Sequence, residues 1–203
     1  MPAIRFVITV ALCSALPFLV TAPVSAGVAA PQPLAAQPQP VNRDAKTMVS
    51  FTERVDAYLN LQKAEVAKLP TLKDESTPIE IDQHQRALGA AIARVRAGAR
   101  QGDIFTPDMQ RVARKLMQQL FRETRKRREL RESVMDENPT TVRFKVNDRY
   151  PDAVPLSTMP PDVLRNLPPL PEALEYRFVG NALILLDPDA HIVVDYVTRV
   201  LPK

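Results

Sequence analysis

The chain has 203 residues, with 27 Lys and Arg against 23 Asp and Glu, no tryptophan and a single cysteine, Cys13. One cysteine allows no intramolecular disulfide and no multi-thiolate zinc site, so stability has to come from packing. The chain also lacks a phosphate-cradling glycine loop, a glycine-flanked serine elbow and a paired HxxxH ligand set, which leaves the common nucleotide, acyl-transfer and zinc enzymes without their signatures.

The N-terminus, MPAIRFVITVALCSALPFLVTAPVSAG, has one cation at Arg5 and an apolar run from Phe6 to Val20. Small residues Val24 and Ala26 follow at the positions three and one before a cleavage point. This layout predicts a signal peptide over 1–26, export to the periplasm or beyond, and membrane contact only before cleavage. A retained anchor is the alternative, but Pro17 and Pro23 interrupt the apolar span. Cleavage would remove Cys13. Residues 27–45 alternate Ala, Pro and Gln through VAAPQPLAAQPQPV and read as an extended, disordered tether.

A three-helix antiparallel unit is expected over 46–138. In the first helix Met48, Phe51, Val55, Tyr58, Leu59, Gln62, Val66 and Leu69 recur at helical spacing, Ser50 with Glu53 offers a capping box, and Pro70 ends the run. The second starts at Thr77, with Pro78 and Glu80 behind it, and presents Ile81, Leu88, Ile92, Val95 and Ala99. The third starts at Thr106 and carries Met109, Val112, Ala113, Leu116, Leu120, Phe121, Leu130 and Val134. At 1.5 Å per residue the first two span about 30 Å and the third about 42 Å, so a basic tip should overhang by roughly 10 Å.

After Pro139 the period changes. TVRFKV alternates Val142, Phe144 and Val146 with Arg143 and Lys145, as a half-exposed strand would. A proline-rich link follows, with a helical turn at PPDVLRNL and the sequence LPPLP from Leu167 to Pro171. LPPLP could dock in a polyproline groove, but its leucines and the strand just behind it favour a rigid lead-in. EYRFV, the turn pair Gly180 and Asn181, ALILLD, the turn PDAH and IVVDYV then form a small antiparallel β meander, so 139–203 is a Pro-rich link and β module. The fold class is α+β.

Residues 109–138 hold nine cations and five acids, and the run Arg122, Arg125, Lys126, Arg128 and Arg131 is the candidate site for an anionic partner. Its i,i+4 spacing to acids, such as Arg128 to Glu132, and the absence of interleaved aromatics argue against nucleic acid. Asp187, Asp189 and His191 in DPDAH are a weak metal candidate, because only His84 and His191 are available as imidazoles. His84 beside Asp82 could suggest a base and its partner, but residues two apart on a helix do not face each other. No catalytic residue and no cofactor is assigned.

The order of FxxRVxxY, GDIFTP opening a basic helix, PLSTMPP, LPPLPEALEYRFVG and LILLDPDAHIVVDYV resembles a group of exported bacterial proteins of unknown function, over Phe51 to Val197. The C-terminal portion is also similar to the β module closing several small periplasmic proteins, some linked to nickel and cobalt homeostasis. Neither resemblance implies an activity or a ligand set. The expectation is a non-enzymatic interaction or structural component of the periplasm or cell envelope, with an unknown protein or envelope polymer as partner. The alternatives are a binder of metal ions or anionic polymers, and a hydrolase whose site no motif marks.

Overall fold

The computed structural model describes residues 42–122, 128, 129, 132, 143–155 and 157–201. The expected signal peptide and all but the last four residues of the expected tether lie outside them. Helix α1 (Arg43–Val66) begins earlier than Ser50, because Asn42 caps it: its Oδ1 accepts the Asp44 N–H at 3.0 Å, and Asp44 complements the positive end of the helix. The tether therefore stops at the cap. Helix α2 (Pro78–Val95) starts on the expected reciprocal box, Thr77 Oγ1 accepting from Glu80 N and Glu80 Oε2 accepting from Thr77 N at 2.7 Å. Helix α3 (Pro107–Leu120) is capped by Thr106, whose Oγ1 accepts from Met109 N.

The third helix departs from expectation. It has 14 residues, about 21 Å of rise, and closes at Phe121, so it is not a continuous 42 Å rod; most of the expected basic tip lies outside the described residues. Among the described residues Phe121 is the last of the stripe to be buried, and the cations and acids that follow bring no apolar side chain within the next turn, so the break falls where the buried face lapses. Arg128, Glu129 and Glu132, beyond the break, are again helical. Leu130 and Val134 lie outside the described residues.

Three apolar faces also need correction. In α1, Val66 is 38% exposed and Glu65 takes the buried position. In α2 only the middle turn reaches the interior, through Leu88, Gly89, Ala91 and Ile92, while Ile81 and Val95 are 41% and 52% exposed. In α3, Met117 is fully buried and Leu116 only partly so.

A short helix α4 (Pro161–Asn166) leads to strands β1 (Glu175–Val179), β2 (Ala182–Asp187) and β3 (Ile192–Thr198), paired antiparallel in the order β1-β2-β3. Val179 pairs with Ala182 across Gly180 and Asn181, and Gly180 supplies the φ of 56° that such a tight turn needs. Between β2 and β3 the register slips at Leu185 and Leu186, where Asp195 and Val193 are successive partners and Val194 is the extra residue. The bulge turns both Val194 and Asp195 toward the helices. Every residue of β2 is buried, because both faces of the strand are covered.

One cluster joins α1, α2, α3, α4 and the inner sheet face, from Phe51, Leu88 and Met109 to Leu183, Leu185 and Val197. Phe51, Phe105 and Tyr176 form its aromatic centre, with ring centroids 5.2 to 6.4 Å apart. The outer sheet face forms a second, smaller cluster of Tyr150, Val179, Ile184, Leu186 and Val193.

TVRFKV does not form the expected strand within its described part. Phe144 and Val146 are half-buried while Arg143 and Lys145 are exposed, so the alternation survives without a ladder. Pairing moves downstream instead. Asn147 N donates to Val193 O, Val193 N to Asp148 O and Tyr150 N to His191 O, which lays 147–150 along the free edge of β3. Asn147, at φ 68°, breaks the extended run just before that pairing.

LPPLP serves the strand behind it. Leu167 is 5% exposed, Leu170 packs against the main cluster, and the Tyr176 hydroxyl donates to Pro168 O at 3.0 Å. Leu167→Asp combined with Leu170→Asp should therefore lower the melting temperature markedly, since Leu-to-Ala changes at such sites already cost about 2–5 kcal/mol. Scanning calorimetry checks this, and unchanged melting would return LPPLP to the role of a surface docking peptide.

Candidate functional site

The residues singled out in the sequence are dispersed. Arg122 is exposed just beyond α3, and Arg128 is exposed with its Nε 3.9 Å from Glu132, the i,i+4 pair expected from spacing. Arg125, Lys126 and Arg131 lie outside the described residues. Asp187, Asp189 and His191 do not converge: Asp187 points into the core, Asp189 is exposed, and His191 turns toward Asp152. Among the described residues no three His, Cys, Asp or Glu side chains gather as a metal site. Here too, no helix is long and apolar enough to cross a membrane.

Asp187 ends β2 beneath α1. Its Oδ2 accepts from the Tyr58 hydroxyl at 2.6 Å and Gln62 Nε2 at 2.8 Å, and its Oδ1 accepts from Ala190 N at 2.8 Å. Burial raises its pKa against the lowering influence of these donors, and burial beside Asp187 raises that of Tyr58. Arg96 lies over the Tyr58 ring at 5.0 Å and bonds Asn147 Oδ1 and Val194 O. Asp195, also fully buried, accepts from the main-chain N–H groups of Gly102, Ile104 and Phe105 at 2.8 to 3.0 Å. Both carboxylates hold loops and helices to the sheet.

A third polar group forms on the surface. Arg149 bridges Asp82 Oδ1 at 2.8 Å and Asp152 Oδ1 at 3.0 Å, while Asp82 also takes Arg86 at 2.7 Å. Asp82 thus serves arginines rather than His84, which lines a separate cavity of about 370 Å³ beside the α1–α2 loop. His191 Nε2 stands 3.3 Å from Asp152, and burial followed by the Arg149 charge lowers its pKa.

A cavity that could receive a partner lies on the outer sheet face. Residues 143–155 cross that face and cover Ile184, Leu186 and Val193, but beside the β1–β2 turn they leave a cavity of about 570 Å³. Val179 and Ala182 form its floor. Arg143, Lys145 and Arg199 stand exposed around it, and Phe144 meets Tyr196 edge to face at 4.9 Å and 85° on one wall. Asp148 is the only acid lining it among the described residues, and its Oδ2 accepts from Lys145 N at 2.7 Å.

These lining residues were missed as a site. Arg143, Phe144 and Lys145 were read as alternating faces of a strand, and that alternation was the available signal: cation, aromatic, cation. Nothing in the local sequence of Arg199 places it opposite them, because this depends on the β3 register and on its own φ of 54°. No family model, curated protein or solved structure matches the chain at a significant level.

Proposed function

We propose that the protein is an exported, non-enzymatic binding protein of the periplasm or cell envelope, and that it meets its partner at the outer sheet face. The observation that carries this reading is the open cavity bounded by Arg143, Lys145 and Arg199, with the Phe144 and Tyr196 rings on its wall. A mixture of apolar floor and a few placed charges is the usual chemistry of a recognition site. The N-terminal layout, with Arg5, the apolar run and Ala26, supports export. The buried acids Asp187 and Asp195 are engaged as acceptors that hold the fold, which supports a binding role over acid–base chemistry at those groups.

Crosslinking of the mature protein in its native envelope, compared with Arg143→Glu plus Lys145→Glu, tests the reading. Both side chains are exposed, so the variant should fold and melt normally yet capture its partner weakly. Undiminished capture by the variant would refute the assignment to this face.

A further inference from the structure

We propose that the outer-face groove binds the repeat unit of an acidic glycan, an assignment that rests on reading the protein as a binder at this face. The groove measures about 570 Å³, within the range of small-ligand sites. Its cations come from two directions: Arg143 and Lys145 flank Phe144 on one side, and Arg199 follows β3 on the other. All three are exposed, and none has an ion-pair partner among the described residues. Asp148, the one lining acid among the described residues, is held by the Lys145 main chain, so the electrostatic demand of the groove is for an anion.

The apolar part of the site selects among anions. Tyr196 and Phe144 present π surface, and the partially positive C–H face of a sugar ring packs on such a surface while its carboxylate reaches the rim. Several of the main-chain groups an acidic peptide would pair with are already occupied. Thr198 O accepts from Arg114 at 3.1 Å, Asn181 O takes Val200 N, and Asn181 Oδ1 takes Leu201 N. The β3 edge is paired with 147–150. Recognition in this groove therefore falls mainly to side-chain charge and ring faces.

The test titrates the mature protein at low salt with polygalacturonate, neutral dextran and poly-glutamate. Polygalacturonate should bind and weaken as salt rises, dextran should not bind, and poly-glutamate should bind about tenfold more weakly or not at all. Arg143→Glu with Lys145→Glu should lower polygalacturonate affinity by about tenfold or more at unchanged melting temperature. Arg143→Gln with Lys145→Gln should give a smaller loss, and serves if the reversed pair disturbs folding. No polygalacturonate binding, equal binding of poly-glutamate, or insensitivity to both salt and the variants overturns the proposal. Groove-dependent capture from the envelope without polygalacturonate binding would discard the glycan and keep the binding face; capture independent of the groove would discard both.

Discussion

Asp195→Asn should destabilise the protein by about 3 kcal/mol or more, although it changes one oxygen for an NH₂ group. The Asp195 side chain has four main-chain donors around it. Oδ1 accepts from Gly102 N at 3.0 Å and Tyr196 N at 2.8 Å, and Oδ2 accepts from Ile104 N and Phe105 N, each at 2.8 Å. An asparagine placed either way turns its own N–H toward two N–H groups that cannot rotate. The less costly placement keeps the oxygen on Ile104 N and Phe105 N and turns the amide toward the part-buried Gly102 and Tyr196 N–H groups, which lose their acceptor at about 1–3 kcal/mol each. The opposite placement is worse, because Ile104 and Phe105 are themselves buried.

The effect should spread along the chain. The loop from Gly102 to Phe105 sets the Thr106 cap of α3 and places Phe105 against Phe51 and Tyr176. Gly102 sits at φ 96°, which turns its N–H toward the carboxylate. For a domain of this size 3 kcal/mol corresponds to a melting shift of about 6–12 °C. Urea unfolding measures the change, and hydrogen exchange should show lost protection at Ile104 and Phe105. A loss below about 1 kcal/mol would show that the loop is held by its apolar contacts alone.

The sequence exposed local structure well and long-range structure poorly, for a physical reason. Thr77 with Glu80, Thr106 with Pro107, and Gly180 with Asn181 act within four residues, so caps and the tight turn were legible, and all three strands fall within a residue of their expected bounds. The end of α3 was not, since the helical period runs on to Leu130 in the sequence while the helix breaks at Phe121, the last of its stripe buried among the described residues. In the sequence Asp187 reads as a member of the weak metal candidate DPDAH because Asp189 and His191 follow it; its partners Tyr58 and Gln62 lie more than a hundred residues away. The groove depends on three separate segments meeting, 143–148, the β1–β2 turn and the end of β3. Only the alternating charges of TVRFKV hinted at it.

Asp187 makes a milder prediction than Asp195, because two of its donors are side chains that can adapt. In Asp187→Asn, the amide oxygen can keep Ala190 N while the NH₂ group donates to the Tyr58 oxygen and to a rotated Gln62 amide. The Tyr58 hydroxyl proton then loses its acceptor, but the buried charge is gone as well, so the variant should lie within about 1–2 kcal/mol of wild type near neutral pH. Asp187→Ala should cost about 3 kcal/mol or more, as it strands the Tyr58 hydroxyl, the Gln62 amide and the Ala190 N–H together. The pH dependence has a defined sign. Burial raises the folded pKa of Asp187 above its ordinary value of about 3.9, so the folded state binds the extra proton. Its favourable contribution is complete below that ordinary value and is lost as pH rises through the raised one. Wild-type stability should therefore fall relative to Asp187→Asn across that window and run parallel to it above. Parallel curves throughout would mean that the Tyr58, Gln62 and Ala190 donors fully offset burial of the charge; a crossing in the other direction would make this carboxylate a net source of stability at neutral pH.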